Sequence, residues 1–257
     1  ALKETYPMSQ VLFEIRDNAA LLTLNNPDKR NMLTLEVCAE IVRYVKEAEE
    51  HPEVKALIVT GSGRAFCAGG QLSDLIPDQE ILESIYSGFL SIANCKLPTI
   101  AAVNGAAVGA GFNMAVGCDV RIVTENARFE PRFFGLGLHP GGGNTWMLRQ
   151  LVNWNTAAGM LLFSQSLNGR EAVEKGLAWK CVADEELVAE AFAFTANIRD
   201  LPKELLLRTK QTLRTAGGTN SHKEMLEIET AAQVWSINQP YARDSIAAMI
   251  KKISGKS

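Results

Sequence analysis

The residues of this chain best placed to do chemistry sit in two glycine-rich segments, Phe66-Cys67-Ala68-Gly69-Gly70-Gln71-Leu72 and Asn104-Gly105-Ala106-Ala107-Val108-Gly109-Ala110-Gly111-Phe112. Small side chains let a ligand approach the backbone, so peptide N–H groups from both segments can converge on one developing negative charge. Either segment alone also reads as an ordinary strand-to-helix turn of an α/β domain. Two together favour the anion-holding reading. Cys67 lies inside the first segment and is a candidate nucleophile, although no histidine is near it in sequence and packing alone accounts for a small residue there.

The elements that position these loops follow from hydrophobic patterning. Ala56-Leu57-Ile58-Val59-Thr60 runs into the first loop and Thr99-Ile100-Ala101-Ala102-Val103 into the second, both short apolar runs suited to buried strands. Val11–Ile15 and Ala19–Leu24 alternate as a hairpin does, with Arg16-Asp17-Asn18 between them. A polar turn, Asn25–Asn31, comes next. Thr34 can then cap a helix that starts at Leu35 and carries Val37, Ile41, Val42 and Val45. Residues 73–95 read as a helix-bearing excursion with Ile81, Leu82, Ile85, Leu90 and Ile92 available for burial. After Ala127-Arg128-Phe129, the third flexible segment, Gly135–Thr145, precedes a region expected to be helical from Trp146 onward. From about residue 197 only helices are predicted, over Lys203–Leu213, Ser221–Ile237 and Tyr241–Ile253, with a break at Ala216-Gly217-Gly218-Thr219.

Composition sets broad bounds. With 257 residues, 47% hydrophobic and 21% charged, the chain can bury a full core as one large domain with a smaller appendage. A formal net charge of −3 gives no electrostatic reason to expect nucleic acid or an anionic membrane as partner. Five scattered cysteines without C-x-x-C spacing read as reduced thiols, and no metal site is expected. No apolar run reaches membrane-spanning length and Ala-Leu-Lys-Glu-Thr-Tyr-Pro lacks a signal-peptide core, so a cytoplasmic address is the expectation. Gly109-Ala110-Gly111 lacks the full G-x-G-x-x-G pattern and comes late in the chain, which disfavours a dinucleotide-binding fold.

Asn26-Pro27-Asp28-Lys29-Arg30-Asn31-Met32-Leu33, Ala65–Gly70, Pro98–Gly105, Gly109-Ala110-Gly111 and Cys118-Asp119, in that order and spacing, resemble the crotonase, or enoyl-CoA hydratase/isomerase, superfamily. The resemblance covers nearly the whole chain. It implies an α/β fold, a crotonase-type spiral of β-β-α units over residues 1–196, with a C-terminal helical region, 197–257, that packs subunits into trimers or hexamers. It further implies an acyl-CoA ligand belonging to fatty acid metabolism, with coenzyme A as part of the substrate and no other cofactor. Carried over by motif, the oxyanion donors are Gly70 and Ala110; an alanine in place of the more usual glycine still supplies a backbone N–H. Lys29 and Arg30 match the region beside the CoA phosphates and Ala68 the small residue next to the adenine, while a solvated turn and a packing alanine explain them equally well. Lys251 and Lys252 are candidates to reach a neighbouring subunit's CoA, against a plain reading as solvated surface. Gln71 stands where the family commonly has an acid.

The acid–base positions depart from the family. The two glutamates of its hydratases match Asn113 and Phe133, and a third carboxylate position matches Gly141; none of these side chains transfers a proton at neutral pH. Asn113 can still orient a water or a carbonyl. Glu130 lies three residues before Phe133, an offset that in a strand turns it to the opposite face, so it is either a displaced base or an ion-paired surface carboxylate. His139 is a candidate because imidazole is a side chain suited to proton transfer and its segment is expected to border the acyl pocket, although a lone histidine beside Pro140 also serves structure. Phe133, Phe134, Leu136, Leu138 and Trp146 are expected to make that pocket apolar, and Asp74, Glu80 or Glu83 to be able to swing a carboxylate in. His51 and His222 are read as surface residues. The expected activity is isomerase-, decarboxylase- or C–C-lyase-type enolate chemistry rather than two-glutamate hydration, the alternative being a catalytically silent acyl-CoA-binding module.

Overall fold

The computed structural model describes residues 9–70, 79–218 and 221–253. Val11–Arg16 (β1) and Ala19–Leu24 (β2) form the expected antiparallel hairpin, paired from Val11 opposite Leu24 to Arg16 opposite Ala19. Its turn is only Asp17-Asn18, with φ of 51° and 61°. Paired left-handed residues match the twist of the flanking strands, so Arg16, expected in the turn, belongs to β1.

From β2 the sheet continues in parallel through Ala56–Gly61 (β3), Thr99–Val103 (β5), Val120–Thr124 (β7) and Lys180–Val182 (β10), in the order β1-β2-β3-β5-β7-β10. All six residues of β3 and all five of β5 are buried, as an apolar run covered on both faces requires. One face of this sheet presents Leu21, Ile58, Ile100 and Ile122 to Leu187, Ala191 and Phe192 of α7 (Leu187–Phe194).

Each central strand is followed at once by a short partner: β3 by Ala65–Cys67 (β4), β5 by Ala106–Val108 (β6) and β7 by Arg128–Glu130 (β8). These partners leave for a second sheet, ordered β4-β6-β8-β9, in which β4, β6 and β8 are parallel and Leu167–Asn168 (β9) is antiparallel to β8. A helix then returns the chain, α2 (Gln79–Ala93) after β4 and α3 (Ala110–Gly117) after β6. The architecture is thus a spiral of β-β-α units.

The helix α1 (Leu35–Glu50) starts where Thr34 Oγ1 accepts from Val37 N–H at 3.3 Å, and it buries Val37, Ile41 and Val45. Val42 stays exposed at the edge of the stripe. Along α2 the inward row is Ile85, Phe89 and Ile92, while Leu82 and Leu90 are only half-buried and the side chain of Ile81 lies outside the described residues. The region after Trp146, expected to be helical throughout, is not: β9 and β10 interrupt the series α4 (Asn144–Leu151), α5 (Trp154–Leu162), α6 (Gly169–Glu174) and α7. Strands of two and three residues carry no readable period; pairing with β8 and β7 creates them.

The chain divides into two compact units, residues 1–199 and 200–257. The second consists of α8 (Lys203–Ala216), α9 (His222–Ile237) and α10 (Pro240–Ile253), with Ser221 capping α9 through Glu224 N–H. The Arg208 guanidinium sits 4.2 Å over the Trp235 ring and ties α8 to α9. Leu213, Leu226, Val234, Ile237, Ile246, Met249 and Ile250 are exposed on these helices.

Candidate active site

Because β4, β6 and β8 are parallel neighbours, their carboxyl ends share one edge, and the segments that leave them meet there. The contact between the first two loops is backbone to backbone. A Cβ on Gly69, whose φ is 95°, would stand 2.8 Å from Val108 O and 3.6 Å from Ala110 N, and a Cβ on Gly111 would strike the Cys67 carbonyl oxygen. Only glycine permits that approach. A third strand of chain fixes the first loop from the other side: Ala68 N–H donates to Arg30 O at 2.9 Å and Leu33 N–H to Gly69 O at 2.8 Å.

Two amides are open with respect to the described residues. Among the described residues the Gly70 N–H has no acceptor, and the Ala110 N–H is the first of α3, whose N-cap Gly109 has no capping side chain. Both residues are partly exposed. Gly109 itself is held, its N–H donating to Glu130 O at 3.0 Å and its carbonyl accepting from Asn113 N–H at 2.9 Å. Two amides without a partner among the described residues, following adjoining strand ends and one of them on the positive end of a helix, form an arrangement that can stabilise an oxyanion.

Asn113 is buried, with both ends of its amide engaged. Its Nδ2 donates to Gly141 O at 2.9 Å, and its Oδ1 accepts from Asn144 Nδ2 at 2.6 Å. This buried amide pair fastens α3 to the 141–144 turn, and Asn144 was not singled out from sequence because its partner lies 31 residues away. The Oδ1 of Asn144 is buried with no partner of its own.

The strand-face argument for Glu130 and Phe133 does not hold as expected. Pro131 and Arg132, with φ of 54°, end β8 at Glu130, so Phe133 lies in the following turn rather than in the strand. Glu130 is ion-paired with Arg132 at 2.7 Å and Arg128 at 3.4 Å. Arg128-x-Glu130-x-Arg132 spacing was the available signal. His139 is exposed, and its Nδ1 lies 2.7 Å from Pro140 O; since a carbonyl only accepts, Nδ1 is the donor of that contact. The apolar row is more open than expected: Phe133 is half-buried, Phe134, Leu136 and Leu138 are exposed, and Trp146 is 67% exposed.

Lys29 and Arg30 are exposed on a 3-10 turn, Pro27–Lys29, and the backbone bond from Ala68 to Arg30 brings both beside the first loop. Cys67 is buried, and that burial pushes its thiol up to about 12, the opposite of an activated nucleophile. Glu80 and Glu83 are exposed on α2; Gln71 and Asp74 lie outside the described residues. Lys251 is exposed on α10, and the side chain of Lys252 lies outside the described residues. His222 is exposed while His51 is half-buried at the end of α1. Among the described residues no group of His, Cys, Asp or Glu side chains could hold a metal, and no helix is long and apolar enough to cross a membrane.

The enoyl-CoA hydratase/isomerase family model matches residues 14–254, and the chain belongs to that family. A Mycobacterium tuberculosis protein described as a probable enoyl-CoA hydratase is 42% identical over 248 residues, covering 93% of this chain and 96% of the relative. The 1,2-epoxyphenylacetyl-CoA isomerase of Escherichia coli is 31% identical over 256 residues, covering 96% and 97%. Among solved structures, a Thermobifida fusca protein in complex with CoA superposes with a TM-score of 0.80 at 29% identity, over 89% of this chain and 93% of that one.

Proposed function

We propose that this chain binds an acyl-CoA thioester, holds its carbonyl oxygen with the Gly70 and Ala110 amides, and stabilises the enolate in double-bond migration, decarboxylation or C–C cleavage. The observation that carries the reading is the pair of open amides at adjoining ends of β4 and β6. Against hydration by two carboxylates stand the engagement of Asn113 in two hydrogen bonds and of Glu130 in two ion pairs. An isomerase of a CoA thioester among the relatives supports chemistry of this kind, as the CoA complex of a structural neighbour supports the ligand. Lys29 and Arg30 would face the CoA phosphates and Ala68 its adenine, with Phe133, Gly141 and Trp146 on the acyl side. Coenzyme A enters as part of the substrate, with no further cofactor. Exposed apolar side chains on α8 to α10 support self-association into a trimer or hexamer, and the protein would work in the cytoplasm.

The test compares crotonyl-CoA hydration with proton exchange at the α-carbon of saturated acyl-CoAs in D2O. Exchange with hydration near background is expected. Hydration that is rapid and survives both Glu130→Gln and His139→Ala would overturn the reading, since an unassigned base would then be at work. The same side-chain engagements favour a second reading, a binding module; tight acyl-CoA binding by calorimetry with neither exchange nor turnover would select it.

A further inference from the structure

An enolate held by two amides needs a proton, and of the described side chains singled out from sequence Asn113 and Glu130 are already engaged with other groups. The helix α2 offers a donor. Its residues cross the site in order: Ile85 Cγ2 lies 3.7 Å from where a Cβ on Gly70 would stand, Tyr86 Oη lies 2.5 Å from the corresponding point on Gly141, and the Phe89 ring abuts Gly142. Gly141 is in turn bound to α3 through Asn113, three residues beyond Ala110. Tyr86 therefore sits on the same turn of α2 as the residue against Gly70, with its hydroxyl turned to the segment that Asn113 fastens to α3.

Two further facts set this hydroxyl apart. Tyr86 is half-buried, its ring tilted against Phe89 at a centroid distance of 5.5 Å, which fixes its direction. Its Oη makes no hydrogen bond with any described residue, although a phenol can both donate and accept. A side chain at position 141 would occupy the space of the hydroxyl, so glycine there is what admits it.

We propose that Tyr86 is a catalytic residue, the proton donor to the enolate carbon; this rests on the oxyanion reading of Gly70 and Ala110. In the step, the oxygen's electron pair re-forms the thioester C=O, the C=C pair of the enolate forms a C–H bond at the α-carbon, and the Tyr86 O–H bond breaks, its electron pair staying on the phenolic oxygen. The tyrosinate regains its proton from water at the exposed edge of the ring. A phenolic oxygen can give its proton to a carbanion and, as the anion, take one back. Substrates whose enolate arises by loss of a carbon group, such as acyl-CoAs bearing a carboxylate or a carbonyl β to the thioester, need such a donor to complete the reaction.

By microscopic reversibility the same oxygen removes the proton in exchange, so butyryl-CoA in D2O is a probe for wild type, Tyr86→Phe and Gly141→Ala. The expected result is exchange by the wild type, a fall of about 10²- to 10⁴-fold in Tyr86→Phe with the dissociation constant of butyryl-CoA unchanged, and an intermediate fall in Gly141→Ala. Wild-type exchange matched by Tyr86→Phe within threefold would overturn the role of Tyr86 and leave the oxyanion reading standing. No exchange by the wild type would overturn both. Should Tyr86→Phe lose its fold, as judged by circular dichroism, Gly141→Ala decides alone: exchange within threefold of wild type overturns the proposal.

Discussion

The two ends of α3 are treated in opposite ways. At its carboxyl end the buried Arg121 guanidinium donates to the carbonyls of Ala115 at 3.3 Å and Cys118 at 2.6 Å, and also to Asp119 at 3.2 Å and Leu177 at 2.6 Å. Burial pulls the Arg121 pKa down, and the adjacent Cys118 and Asp119 oppose that shift. At the amino end no side chain of the described residues caps the helix, and the Ala110 nitrogen lies 3.6 Å from where a Cβ on Gly69 would stand. Both ends of a helix carry unsatisfied backbone groups and opposite partial charge. A buried cation that satisfies one end while the other is left uncovered is the pattern expected where a ligand completes the structure, as proposed for the Ala110 amide.

The largest effect that tests this contrast is on stability. Arg121→Met removes the donor from four carbonyls while sparing the amide end, and a loss of about 3–5 kcal/mol is expected by urea denaturation, with acyl-CoA affinity kept below the unfolding range. A loss under about 1 kcal/mol would mean that the carboxyl end needs no cap. A smaller effect probes the floor of the amide end, where Gly111 packs on Cys67. Burial raises Cys67 to about 12 and Cys38 to about 11, from 9.0 for the exposed thiol. The unfolded chain therefore ionises first: the stabilisation is complete below pH 9 and drains away as pH rises towards 11 to 12. Unfolding free energy should fall by about 1.4 kcal/mol per pH unit for each thiol above pH 9, and Cys67→Ala should remove one share of that slope. A flat profile from pH 8 to 10.5 would show the floor to be open to water.

Much of this fold was legible because its strands and loops announce themselves locally. The run Ala56–Thr60 has no polar break, Thr34 stands where a cap must, and the glycine loops follow apolar strands, so β3, α1 and both halves of the candidate site could be placed from sequence. What escaped notice depends on distant partners. β9 and β10 exist through pairing with β8 and β7, and the Asn113–Asn144 amide pair joins residues 31 apart. Tyr86 belongs to the same class, since nothing in its helical context separates a phenol over a glycine turn from one in ordinary packing. Glu130 differs, because its two arginines at alternate positions were visible all along.

The central claim is that the Ala110 amide donates to substrate. Proline is accommodated at the first position of a helix, where no intrahelical bond is lost, and the preceding Gly109 has no Cβ to clash with the ring. Ala110→Pro thus deletes one N–H and little else. The account predicts a fall of about 10²- to 10³-fold in the rate of α-proton exchange of bound butyryl-CoA, with stability changed by less than about 1 kcal/mol. A folded Ala110→Pro variant that exchanges within threefold of wild type would contradict it.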